Sequence, residues 1–333
     1  QAMDARRHVW EGAIPISFQL DPSEIATAPA PLPLLLMAAR NGYLPLLANR
    51  IRQYFQNAVL SSPSSSTPSS DQILWFDFKG LPLKWHIPTG VLFDLLCLEP
   101  QRPWDLTVHF RGYPSEMMAP YEGDEAVKWS FMNTLKEASY IIRGNTKNVM
   151  DLTQNDQNNL WSSIVKGLRP VFDVETISGI WKNTIASQLS LLVLGESKAS
   201  QVARNGKVPL RLYVRAVNGG LDDPFSLAPV KSWNEVMILT RPVEILRQEE
   251  GLAFTLGDAL VKVLPQYFGS SSEDPEHSSS DSRVDEYGPG VQFDGTVKIQ
   301  GIQPNLDLPF DWVARNLAGQ EHFTHVCLWV PGK

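Results

Sequence analysis

Only two cysteines occur in 333 residues, too few for a disulfide framework, and that scarcity indicates a reducing compartment. Cys97 lies in LLCLEP and Cys327 in VCLWV, apolar contexts in which a thiol behaves as a small buried hydrophobe. Neither has a catalytic setting, which argues against a thioester-carrying transferase. No apolar run approaches the roughly 20 residues needed to span a bilayer. Gln1-Ala2-Met3 opens without the apolar core of a signal segment. A basic stripe is also missing, and a net charge of −7 argues against nucleic acid as the main partner. Membrane contact is therefore expected to be peripheral, through a local patch or through partners. There is no G-x-S-x-G, P-loop or dinucleotide fingerprint. His322, His325 and Cys327 lie together in HFTHVC, but on a strand His322 faces away from the other two, and no second ligand pair occurs elsewhere. Neither a metal nor a cofactor is expected.

What remains is a globular composition, 43% hydrophobic and 20% charged, in a length sufficient for about two domains with cores of their own. The stretch Ile73–Phe110 organises the reading. Ile73–Phe78 is a strand of aromatic and branched residues, Lys79-Gly80 a tight turn, and Pro88 a helix start before Val91, Leu92, Leu95 and Leu96. Leu106–Phe110 is the closing strand. The same order returns near the C-terminus: strand Val297–Gln300, turn Gly301, helix start Pro309 with Val313 and Leu317, and strand Phe323–Val330. Gly80 to Pro88 and Gly301 to Pro309 have equal spacing, and Leu92 and Leu96 align with Val313 and Leu317. A duplicated fold is the reading that follows.

Taken in order, Val9–Leu20 reads as a strand broken by Pro15, with Pro33–Ala39 as its partner. Tyr43–Val59 is expected to be helical, with Leu44, Leu47, Ile51, Phe55 and Ala58 on one face. Ser61–Ser70 is a Ser/Pro tract with nothing to bury. In the second copy Val208–Val217 and Glu235–Leu246 are strands, with the register across the Gly/Asp/Pro-rich Asn218–Pro229 loop open. Phe254–Phe268 is a helix capped by Thr255 and Asp258. Ser270–Gly290 is a second Ser/acid-rich loop, its Glu273, Asp274 and Glu276 solvated. Strand pair, helix, strand, short helix and last strand is the order of a ubiquitin-like β-grasp.

Between the copies Asp124–Gly195 keeps a helical period. Val127, Phe131, Leu135, Ala138 and Ile142 form one stripe, Trp161, Ile164, Val165 and Leu168 another, and Val174, Ile177, Trp181 and Ile185 a third. The first stripe places Lys136 on the opposite side, with Trp129, Met132 and Tyr140 beside it at helical spacing. Two readings stand for this face. It is a partner surface, since aromatic and Met clusters are enriched there, or another element of the chain covers it.

HVWEGAIPI at His8–Ile16, GYLPLL at Gly42–Leu47, WFDFKGLPLKWHIPTGVLFDLL at Trp75–Leu96, PWDLTVHFRGYP at Pro103–Pro114 and SFMNTLKEASYI at Ser130–Ile141 together resemble the autophagy-related protein five family over nearly the whole chain. The resemblance implies an α+β chain of two ubiquitin-like β-grasp domains flanking a helix-rich domain, with a short N-terminal helix over Met3–Trp10. The corresponding boundaries are residues 1–10, 11–114, 120–200 and 205–333. It also implies a non-catalytic protein whose conjugation lysine, in Met-x-x-x-Lys-Glu-Ala, is Lys136. The implied modifier is the ubiquitin-like autophagy protein twelve, attached by E1-like and E2-like enzymes. With the coiled-coil autophagy protein sixteen the family forms a ligase-like complex for lipidation of the autophagy protein eight family, in the cytoplasm and at the phagophore membrane. The coiled-coil partner is expected in a groove by the N-terminal helix. Arg7 and Trp10 are its candidates, with Arg6, Ile14 and Pro15 nearby, although Trp10 and Ile14 also suit the first core. Two other classes remain: an unmodified tandem binding module, which does not need Lys136, and an enzyme using Cys97 or Cys327.

Overall fold

The computed structural model describes residues 2–59, 73–97, 101–166, 207–217, 228–245, 253–268, 293 and 295–331. The chain opens with helix α1 (Ala2–Glu11), then β1 (Ala13–Leu20), β2 (Leu34–Ala39), α2 (Ala48–Phe55), β3 (Trp75–Phe78), β4 (Leu81–Pro82), α3 (Thr89–Leu96) and β5 (Trp104–His109). Three helices follow, α4 (Asp124–Arg143), α5 (Lys147–Met150) and α6 (Gln154–Lys166). The last unit is β6 (Lys207–Val217), β7 (Val236–Glu244), α7 (Leu256–Val263), β8 (Thr296–Lys298), α8 (Phe310–Asn316) and β9 (Thr324–Pro331).

The two sheets share one plan. Their strand orders are β2-β1-β5-β3-β4 and β7-β6-β9-β8. In each, the first strand pairs antiparallel with the second and parallel with the last. The turns match at backbone level. Lys79 and Gly80 have φ of 53° and 85°, and Gln300 and Gly301 have 52° and 80°, the pair of positive values that a tight two-residue hairpin demands. Pro88 and Pro309 cap the two short helices with φ of −54° each.

Alternation builds the first core: Ile14, Ile16, Phe18 and Leu20 of β1 are buried and meet Leu92 and Leu95 of α3, with Ile51 and Phe55 of α2. The second core repeats this with Leu210, Leu212 and Val214 of β6 against Leu256, Leu260 and Val313. Thr255 and Asp258 form the expected capping box on α7, whose helix stops before Pro265. The register left open by the long loop is fixed by Arg215 opposite Val236.

Several expectations are corrected, among them the helix expected over Phe254–Phe268, which spans only Leu256–Val263. The first strand starts at Ala13, because Val9 and Trp10 belong to α1. Pro15 does not break it, since pairing with β5 begins only at Ile16 and a missing donor costs little where the strand has one neighbour. The segment after Tyr43 is a 3₁₀ turn over Leu44–Leu47 before α2, not one continuous helix. On α6 it is Leu160 that joins Ile164 in the core, while Val165 is exposed. The third helical stripe, Leu168, and the Ser61–Ser70 and Ser270–Gly290 tracts with their carboxylates lie outside the described residues.

The two units interlock. The β8 turn enters the first unit, where the Gly301 N–H donates to Asp94 Oδ2 at 2.7 Å and Gln300 donates to Asn41 Oδ1 at 3.1 Å. Asp94 also pairs with Arg40, and both side chains are buried. Lys298 Nζ donates to the Cys97 carbonyl at 3.1 Å, and Trp233 Nε1 to the Pro82 carbonyl at 2.7 Å. Asn41 Nδ2 meanwhile donates to the Val9 carbonyl of α1 at 3.0 Å. Several directional contacts of this kind fix two domains more firmly than apolar burial alone.

Candidate functional site

Helix α4 carries the candidate lysine. Asp124 and Glu125 sit in its first turn and Arg143 in its last, the charge placement that suits the helix dipole. Gly144, at φ 75°, ends it in the left-handed conformation and donates to the Tyr140 carbonyl at 2.7 Å. One side buries Val127, Phe131, Leu135 and Ala138, as their spacing demands.

On the other side Trp129 and Tyr140 are 60% and 62% exposed, and Lys136 between them is half-buried. Met132 is not part of that face. Only 4% of it is exposed, and it packs with Tyr43, Val127, Phe131 and Leu135. It lies about 100° around the helix from Phe131, and α4 is covered on a wider arc than a single stripe because it rests against both the Leu44–Leu47 turn and β6. The surface patch is therefore Trp129, Lys136 and Tyr140.

The carboxylate next to the lysine is engaged elsewhere. Glu137 Oε2 accepts from Arg211 Nη2 at 2.7 Å. Arg211 sits on β6, donates from Nε to Thr240 Oγ1 at 3.2 Å, and lies over the Phe323 ring at 4.1 Å. Among the described residues no carboxylate pairs with Lys136. Sequence periodicity missed Arg211 entirely. Its one local signal is a charged residue, with Arg215 four positions on, in a strand that after Lys207 is otherwise apolar or aromatic.

The N-terminal candidates divide. Arg7 is exposed and pairs with Glu11 at 2.9 Å. Trp10 is half-buried against the helical cluster, Val9 enters the second core, and Ile14 belongs to the first. Helix α1 is thus wedged against α8 and the helical region, and Trp10 spends much of its surface on that packing.

The thiols and the HFTHVC cluster are committed to packing. Cys97 and Cys327 are free and buried. Burial pushes the Cys97 thiol up to about 12 and the Cys327 thiol well above its usual value, which suppresses the thiolate. His325 is held between Glu321 and the Tyr213 hydroxyl, the latter at 3.2 Å. Cys327 Sγ approaches the Val91 carbonyl at 3.7 Å. In the first unit His109 stacks on Trp75 at 3.9 Å and bonds Asp77 at 2.5 Å. No group of three or more His, Cys, Asp or Glu among the described residues is arranged to hold a metal, and no helix among them is long and apolar enough to cross a membrane.

Three family models match this chain in succession: autophagy protein ATG5, UblA domain, at residues 9–110; its alpha-helical bundle region at 124–174; and its UblB domain at 207–328. Autophagy protein 5 of Arabidopsis thaliana is 42% identical over 341 residues, covering 99% of this chain and 98% of its own length. Autophagy protein 5 of Oryza sativa subsp. indica is 38% identical over 364 residues, covering 98% and 94%. The crystal structure of Kluyveromyces marxianus Atg5 superposes with a TM-score of 0.65 over 98% of this chain and 99% of that one, at 17% identity, a likeness that carries the fold.

Proposed function

The chain belongs to the autophagy protein 5 family and acts in autophagy, and from there we propose that it is the acceptor of a ubiquitin-like modifier, the autophagy protein twelve, joined through Lys136. The observation that supports this is the arrangement on α4: a half-buried lysine with no ion-pair partner among the described residues, flanked by exposed Trp129 and Tyr140, next to a glutamate already held by Arg211. An acceptor lysine must approach an enzyme-bound thioester as the neutral amine. A carboxylate locked onto it would oppose that, and among the described residues none pairs with it.

Once the isopeptide bond forms, the tethered modifier is held at an effective concentration on the order of mM. Modest contacts through Trp129 and Tyr140 then suffice to fix its orientation. The protein itself contributes no chemistry in this reading. It is a scaffold handled by E1-like and E2-like enzymes that, with the coiled-coil autophagy protein sixteen, promotes lipidation of the autophagy protein eight family. The coiled-coil partner would lie along α1, where Arg7 is exposed and Trp10 presents its remaining surface. Membrane contact at the phagophore would be peripheral, from a cytoplasmic pool.

The test is reconstituted conjugation with the activating and conjugating enzymes, ATP and the modifier, comparing the protein with Lys136→Arg by mass. A gain of one modifier that the variant abolishes is the expected result. A variant that is still modified excludes Lys136. If neither protein is modified under conditions that modify an established acceptor, the chain is an unmodified tandem ubiquitin-like binding module. Substituting Trp129 and Tyr140 together should slow downstream lipidation, and an unchanged rate would remove them from the modifier contact.

A further inference from the structure

We propose that Glu137 and Arg211 form a positioning device for the acceptor lysine, pinning the Lys136 segment of α4 to the second ubiquitin-like unit. The inference rests on the reading of Lys136 as the acceptor. Arg211 is held on three sides: Nη2 by Glu137 at 2.7 Å, Nε by Thr240 of β7 at 3.2 Å, and its guanidinium face by the Phe323 ring at 4.1 Å, just before β9. A guanidinium fixed in this way is a rigid donor, and a charge-assisted hydrogen bond from it is directional. The carboxylate it grips belongs to the residue directly after the lysine. Apolar packing of Phe131, Met132 and Leu135 holds α4 in place but is non-directional. The ion pair adds a directional restraint on rotation about the helix axis at the turn that presents Lys136.

The step this serves is geometric in its demands. The neutral Nζ of Lys136 attacks the carbonyl carbon of the thioester that joins the modifier's C-terminus to the conjugating enzyme's cysteine. The N–C bond forms, the C–S bond breaks, the thiolate leaves, and the surplus proton of the amine passes to water. Misplacement of a reacting group by about 1 Å can cost on the order of 100-fold in such a step. The acceptor site is thus completed by a residue from β6, 74 positions from the glutamate it holds.

The experiment is single-turnover transfer from pre-charged conjugating enzyme at a series of enzyme concentrations, using the full chain. Glu137→Gln is the first variant, because the Glu137 side chain is 44% exposed and its replacement leaves the core intact. The maximal rate should fall by about 10-fold with the half-saturating enzyme concentration unchanged. Arg211→Glu should fall as far, and combining it with Glu137→Arg should restore most of the rate. A purely structural role would lower thermal stability without this split and without recovery in the charge-swapped pair. If Glu137→Gln transfers at the normal rate while Lys136→Arg is inert, the positioning role is wrong and the acceptor stands. If Lys136→Arg is modified normally, both fall.

Discussion

Asp94 on α3 receives the backbone N–H of Gly301 at 2.7 Å while its carboxylate holds the buried Arg40 side chain. One carboxylate thereby joins a strand end and a helix of the first ubiquitin-like unit to a turn of the second. In the first unit the equivalent turn is closed locally, with the Gly80 N–H donating to Asp77 Oδ1 at 2.8 Å. Of the two matching turns, the second is the one whose glycine N–H crosses between the units.

That difference predicts unequal costs for the same substitution. Gly80 and Gly301 share a left-handed φ near 85° and 80°, but a Cβ on Gly80 meets nothing within 4 Å, whereas on Gly301 it falls 2.9 Å from Arg40 Cζ. Gly80→Ala should cost only the backbone strain, about 1–2 kcal/mol. Gly301→Ala must in addition displace a guanidinium that burial and Asp94 hold in place. Disturbing a buried pair this way raises the total to roughly 3–5 kcal/mol. Urea denaturation of both variants checks it. Equal losses would mean that the turn does not plug tightly into the first unit.

Acid should weaken the fold through His322. Burial pushes its imidazole down to about 4, with the Arg6 and Arg143 guanidinium groups adding to the effect and Glu321 opposing it. In the unfolded chain the ring titrates near 6.5. Between those values the unfolded state binds more protons, so stability rises with pH across the window. The contribution is fully present above the unfolded value and is lost as pH falls toward the folded one. His322→Asn removes the titration and tolerates the positive φ of 66°. Melting temperature should therefore drop more between pH 7 and pH 5 in the native protein than in the variant. Glu321, whose carboxyl is held below its usual range with the His325 imidazole beside it although burial acts in the opposite direction, acts with the same sign in both proteins and cancels in the comparison. Parallel pH profiles would sink the assignment.

Local chemistry was legible in the sequence, and contacts between distant elements were not. The Lys79-Gly80 turn, the turn at Gly301, the Pro88 and Pro309 helix starts and the Thr255–Asp258 box are short-range signals, and each forms as read, although Gln300, read as the end of a strand, belongs to the turn. Burial set by two partners escaped. Val9 and Trp10 looked like the start of a strand because their apolar surface is spent on the second core and the helical cluster, not on the sheet that follows. The Glu137–Arg211 pair spans 74 positions, beyond any periodicity.

Met132 makes the same point and gives the sharpest test. Spacing alone placed it with Trp129 and Tyr140, but α4 lies in a corner between the Leu44–Leu47 turn and β6, and the corner buries an extra row of side chains. Met132→Ala should therefore behave as a core truncation and cost about 2–5 kcal/mol, depending on how far the site relaxes. Trp129→Ala, three residues away, removes a larger side chain that is 60% exposed, and should change stability by no more than about 0.5 kcal/mol. Denaturant midpoints decide between these outcomes. A large loss from Trp129→Ala with a small one from Met132→Ala would reverse the two faces of the helix and place the methionine, not the tryptophan, beside the exposed side of Lys136.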